Sequence, residues 1–196
     1  MELEKLKNYS RFLNVDIKEA FHTLGITESD AEKLTVATHE GNYTPTAIPM
    51  GITVGSALLQ EVAQRIFSKF KHRAIVMQDN LIIGITKEEN AAEVIRDLLD
   101  ECISYNITLN WRKCDWLEAK TQFWGYDISE NRYTIAEARK QGISTYLYPH
   151  NQKAAQRFCG FSNFFAPFIP NFRDLIDPIL PLLRNDYKHK AAVQQT

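Results

Sequence analysis

Residues 72–90 read HRAIVMQDNLIIGITKEEN. An apolar run, Ala74 to Met77, meets the polar tip Gln78-Asp79-Asn80, and a second apolar run, Leu81 to Ile83, leaves it. Two short apolar runs joined by turn-forming residues predict a β-hairpin inside a core. Asp and Asn suit the tip because they tolerate left-handed backbone and bond locally to it. A carboxylate at the end of a core hairpin can also hold a metal ion. The stretch alone leaves both readings open.

Working outward, the chain has 196 residues and 44% hydrophobic content, enough for one real core, with or without an appendage. It has no apolar run of membrane-spanning length, and its first residues, MELEKLKNYSRF, lack a secretory signal. An intracellular protein, cytoplasmic or nuclear and without a membrane partner, is expected. Cys102, Cys114 and Cys159 are odd in number and widely spaced, which predicts free thiols rather than disulfides or a zinc site. The net charge of -1 argues against gripping a polyanion by bulk positive potential. The charge is uneven, however. Residues 1–100 carry 11 Lys/Arg against 15 Asp/Glu, and residues 101–196 carry 12 against 9, so a polyanion lies more comfortably against the second half.

On either side of the hairpin the pattern alternates between strands and helices. Phe12 to Ile17 reads as a strand ending near Asp16, and KEAFHTLGI after it as a turn or short helix. Lys33 to Thr38 and Tyr43 to Ala47 read as a second hairpin, broken by Pro49-Met50-Gly51. A helix is predicted from Ser56, with Leu58, Leu59, Val62, Ile66 and Phe70 at helical spacing. Thr86-Lys87-Glu88-Glu89 has the form of a capping box before another helix whose apolar face runs from Val94 to Ile103. Then come a strand-like ITLN, a polar-aromatic turn WRKCDW, and TQFWGYDIS as a further hairpin arm. From about Thr134 the chain reads as helical, with helices near 136–146 and 151–165 and a proline-punctuated apolar tail. A boundary near Tyr133 therefore separates an α+β domain, residues 1–133, from a small helical region, residues 134–196.

The motifs NVDIKEAFHTL, IPMGITVGSALLQ, VMQDNLIIG, LNWRKCDW, QFWGYDIS and RFCGFSNFFAPFIPNF follow one another in an order and spacing that resemble the palm and thumb of reverse transcriptases. The gypsy type of LTR retrotransposons is the nearest resemblance, from about residue 10 to 185. It implies an antiparallel palm sheet packed on helices, then a helical thumb, and RNA-directed DNA polymerase activity. It also implies a role for individual residues. Asp16 and Asp79 resemble the metal-binding aspartates of the first palm strand and of the Tyr-x-Asp-Asp hairpin, with Asn80 at the second hairpin position. Two magnesium ions there, with manganese as the alternative, would activate a primer hydroxyl and stabilise leaving pyrophosphate. Phe21, Met50, Gly51 and Gln60 resemble the contacts to the incoming deoxynucleoside triphosphate and templating pair. Lys113, in LNWRKC, resembles a lysine that neutralises the departing pyrophosphate. Phe123, Trp124, Gly125 and Tyr126 resemble the hairpin that holds the primer end, and Lys153, Arg157 and Arg173 a thumb that touches duplex phosphates.

Two departures accompany the resemblance. The hairpin reads Met77-Gln78-Asp79-Asn80, so an amide stands where the family has its second carboxylate, which weakens attraction for a divalent cation. Only fifteen residues precede Asp16, whereas the family has a fingers segment there. Partners implied are an RNA or DNA template with primer, and a fingers or RNase H segment of a larger polyprotein. No protease, RNase H or integrase motif is seen. A noncatalytic nucleic-acid-binding or protein-interaction module that keeps the fold is the alternative expectation. An unrelated α+β domain whose hairpin merely turns on Asp-Asn is a third.

Overall fold

The computed structural model describes residues 2–183. Its central feature is a four-stranded sheet in the order β4 (Ala74–Met77), β5 (Asn80–Ile85), β1 (Arg11–Asp16) and β6 (Asp115–Glu118). Strand β1 pairs antiparallel with β5, from Arg11 opposite Ile85 to Asp16 opposite Asn80. Strand β4 forms the expected hairpin with β5, Met77 opposite Asn80, and lies at the sheet edge. On the other side of β1 runs β6, with a register shift between Phe12 and Asn14.

Both faces of this sheet are covered, which explains why β5 reads as a continuous apolar run rather than an alternating one. Leu13, Val15, Leu81, Ile83 and Ile85 point to one face, where they meet Leu59 of α2 (Gly55–Ile66), Leu98 and Cys102 of α3 (Ala91–Ser104), and Phe67 and Phe70. Phe12, Ile75 and Ile82 point to the other and meet Leu3, Leu6, Phe123 and Ile128. Period-two alternation thus sends Phe12, Asn14 and Asp16 to the second face. On that face Gly84 leaves room for Tyr9: a Cβ there would stand 2.4 Å from the Tyr9 ring. The Arg73 guanidinium lies 5.7 Å from the centre of the same ring and pairs with Glu89.

Several local expectations are corrected. Lys33 is not in a strand. Thr27 accepts a bond from the Asp30 N–H and starts helix α1 (Glu28–Lys33), which shortens the following strand β2 to Val36–Thr38; β3 is Gly41–Tyr43. Glu89 accepts from the Thr86 N–H at 2.8 Å, half of a capping box, yet α3 begins later because Asn90 caps it by accepting from the Ala92 N–H. ITLN supplies one bridge, Ile17 to Leu109, rather than a strand. WRKCDW is a 3₁₀ turn, Trp111–Lys113, that runs into β6. TQFWGYDIS is a whole hairpin, β7 (Lys120–Phe123) with β8 (Tyr126–Ser129), extended into a three-stranded sheet by β9 (Arg132–Ile135), so strand structure continues past Thr134.

The chain divides into two compact units, residues 1–134 and 135–196. The second contains α4 (Glu137–Ser144), α5 (Gln152–Ser162) and α6 (Phe172–Ile176), with 3₁₀ turns at Asn163–Phe168 and Asp177–Leu183. Asn151 caps α5 by accepting from the Ala154 N–H, and the rings of Tyr146, Phe158, Phe161 and Phe165 pack as a cluster. The end of the proline-rich tail, from Arg184, lies outside the described residues. No described helix is long and apolar enough to cross a membrane.

Candidate active site

Asp16 is the last residue of β1 and is almost fully buried. Its register partner, Asn80, opens β5, and directly opposed residues of an antiparallel pair share a face with their Cβ atoms about 5 Å apart. Asp79 sits in the two-residue turn that joins β4 to β5. Its carbonyl accepts from the Ile17 N–H at 2.7 Å, and its carboxylate Oδ1 accepts from Asn80 Nδ2 at 2.9 Å. Asp79, Asn80 and Asp16 therefore form one contiguous group at the sheet end, drawn from residues far apart in sequence.

Lys113 joins this group. The N–H of Asn110 donates to the Asp16 carbonyl at 2.8 Å, which anchors the Trp111–Lys113 turn beside β1. The Lys113 ammonium then lies 3.7 Å from Asp16 Oδ2, with the lysine largely exposed. The neighbouring thiols are poor nucleophiles. Burial pushes Cys102 up to about 11, helped by the charges of Glu101 and Cys114, and burial likewise raises Cys114. All three cysteines are free.

Among the described residues, no three His, Cys, Asp or Glu side chains cluster in a way that could hold a metal ion. The donor set at the sheet end is two carboxylates and one amide. Oxygen donors in that number suit magnesium, which takes one or two protein carboxylates and fills its remaining positions with water and phosphate oxygens. The residues present fit such an ion, with less charge than a third carboxylate would give.

The other expected residues are distributed as follows. Phe21 is partly buried; it packs on the core and faces Gly55, where an added Cβ would lie 3.3 Å from its ring. Met50 is exposed, and Gly51 has φ 95°, a conformation that glycine alone adopts without strain. Gln60, expected at the nucleotide, has its amide engaged on the hairpin backbone instead: Nε2 donates to the Val76 carbonyl at 2.8 Å and Oε1 accepts from the Gln78 N–H at 2.7 Å. Phe123, expected at the primer, is a buried core residue, because period-two alternation turns it inward beside Ile128. Tyr126 packs against the same cluster. Only Trp124 and Gly125, both at positive φ in the turn, project as the hairpin tip. Lys153, Arg157 and Arg173 are exposed. The sequence alone did not reveal the stacked pair Trp111 and Trp116, whose rings lie 5.2 Å apart next to Lys113.

A family model described as reverse transcriptase (RNA-dependent DNA polymerase) matches residues 1–128. The chain belongs to the reverse transcriptase family. The match covers well over half of the chain, and the remaining similarities agree with it. The Transposon Tf2-7 and Tf2-3 polyproteins of Schizosaccharomyces pombe are each 27% identical to this reverse transcriptase chain over 195 residues, 99% of it. The chain spans only 15% of the length of those polyproteins. Among solved structures, the foamy viral protease-reverse transcriptase in complex with RNA/DNA hybrid superimposes with a TM-score of 0.76 at 18% identity, covering 93% of this chain and 25% of that one. Its dRH form in complex with ds DNA gives 0.79 at 18% identity, over 93% of this chain and 33% of that one. At such identities the likeness carries the fold: an α+β reverse transcriptase architecture with an antiparallel sheet and helices.

Proposed function

We propose that this chain is the palm, residues 1–133, and thumb, residues 134–196, of an RNA-directed DNA polymerase from a gypsy-type LTR retrotransposon. Its working centre is the sheet end where Asp16 faces Asn80. That cross-strand pairing, with Asp79 in the adjoining turn, is the observation that carries the reading. Asp16 and Asp79 would hold divalent magnesium, or manganese, with Asn80 offering a neutral oxygen, and such ions would supply charge stabilisation and a more acidic primer hydroxyl. Lys113, beside Asp16, meets the negative charge that builds on departing pyrophosphate.

Around this centre, Phe21, Met50 and Gly51 line the approach of a deoxynucleoside triphosphate, and Trp124 with Gly125 offers a ring and close backbone to the primer end. Lys153, Arg157 and Arg173 contact phosphates of a primer-template. The foamy viral relatives in complex with RNA/DNA hybrid and ds DNA support a duplex ligand. The relatives of which this chain spans 15% are polyproteins, which supports fingers and RNase H segments of a larger polyprotein as the partners of this reading.

Asn80 favours a second reading. Its amide bonds the Asp79 carboxylate where a second acid would repel it, as suits a module that binds primer-template without extending it. Primer extension on an RNA template, in magnesium and in manganese, separates the two. Extension by the unaltered chain that is lost in Asp16→Asn supports the polymerase. Duplex binding with no extension in either metal supports the module.

A further inference from the structure

One side chain outside the carboxylate group holds the hairpin tip in place. Gln60 projects from α2 and is half buried. Its two hydrogen bonds reach the Val76 carbonyl on β4, the strand at the sheet edge, and the Gln78 N–H in the turn that follows it. The side-chain amide thus pairs with the edge of β4 as a neighbouring backbone amide would. Gln78 has φ 56°, a left-handed value that two-residue turns normally give to Gly or Asn, so its conformation needs support from outside the turn. On the opposite flank the Ile17 N–H grips the Asp79 carbonyl at 2.7 Å. Asp79 stands between these two grips.

We propose that Gln60 is a positioning residue: by fixing the Gln78 backbone it sets Asp79 against Asp16, without touching the nucleotide. The inference rests on the proposed carboxylate site. It also specifies why glutamine is required. Methionine has the length but neither hydrogen-bonding group. Glutamate can accept from the Gln78 N–H, yet when ionised it turns a second oxygen toward the Val76 carbonyl. Packing of α2 depends on Leu59 and Ala63, which are buried, so the amide can be removed without emptying the core.

The test measures Mn2+ affinity by electron paramagnetic resonance, hydrogen exchange at the Gln78 amide, and Tm in the unaltered chain, Gln60→Met and Asp79→Asn. Gln60→Met should exchange the Gln78 amide about tenfold faster and bind Mn2+ about fivefold more weakly, with little change in Tm. Asp79→Asn should lose Mn2+ while keeping Gln78 protected. A Gln60→Met protein that keeps both Mn2+ affinity and Gln78 protection overturns the proposal, as does one that loses Tm but not Mn2+ affinity. If the unaltered chain binds no Mn2+ that Asp79→Asn removes, the carboxylate site itself fails and the positioning role falls with it. Should Gln60→Met not fold, Gln60→Leu, which also lacks both hydrogen-bonding groups, carries the same comparison with the same expected and overturning results.

Discussion

Asp16 and Asn80 face each other across β1 and β5, at the end of the sheet face they share. An acid opposite an amide is electrostatically quieter than an acid opposite an acid, and Asn80 also donates to the Asp79 carboxylate. The group is stable as it stands and undercharged for a divalent ion.

Asn80→Asp should therefore act in opposite directions with and without metal. Without it, a third carboxylate beside two others should cost about 1 kcal/mol and lower Tm by a few degrees. Magnesium should then raise Tm more in the variant than in the unaltered chain, since it binds the folded, more charged site more tightly. Thermal melts over a magnesium titration measure this; equal metal-induced shifts in both proteins would count against a metal site at this sheet end.

Gly84→Ala should destabilise the first unit by about 2 kcal/mol or more, because the new Cβ meets the Tyr9 ring at 2.4 Å inside a covered sheet face. Tyr9→Ala in the same chain should recover part of that loss. Urea unfolding of the two single variants and the double variant gives the coupling; strict additivity would mean the ring moves aside freely.

Glu89 links stability to pH. Burial alone would raise its pKa, but the hydrogen bond and charge of Arg73 and the Thr86 N–H outweigh burial and lower it below the ordinary 4.5. A lowered folded-state pKa means the unfolded chain binds the proton first, so this contribution is complete above about pH 4.5 and disappears as pH falls through the lowered value. Denaturant unfolding between pH 7 and pH 3 should show a steeper acid loss in the unaltered chain than in Glu89→Gln. Parallel curves would remove Glu89 from the account.

Lys113→Ala should leave Tm nearly unchanged, since its pairing with Asp16 is on the exposed side of the lysine and worth about 0.5 kcal/mol at most. Under the proposed function it should slow primer extension while sparing duplex binding. A variant that extends at the unaltered rate takes Lys113 out of the chemistry.

The hairpin at residues 72–90 was legible because its signal is local: apolar runs of strand length around turn-forming residues specify one register, and that register aligns Met77 with Asn80. The helices from Gly55 and Ala91 were legible for the same reason, through apolar residues at helical spacing. Free cysteines followed from their number and spacing. The α1 helix and strand β6 were missed where short polar segments carry little periodicity and a single cap or a single neighbouring strand decides the outcome.

The site was only half legible. Sequence alone determined that acids end one strand and tip a hairpin, because residue type and local pattern place Asp16 and Asp79 there. Only the tertiary structure decided that Asp16 is opposite Asn80, that Lys113 reaches Asp16 over a turn anchored by Asn110, and that the Gln60 amide serves the hairpin. Phe123 likewise was expected at the primer end, and pairing with Tyr126 decided that its strand turns it into the core. Local pattern determines what a segment becomes, whereas the partner a side chain meets depends on strand order and register, which are set by how both faces of the sheet are buried.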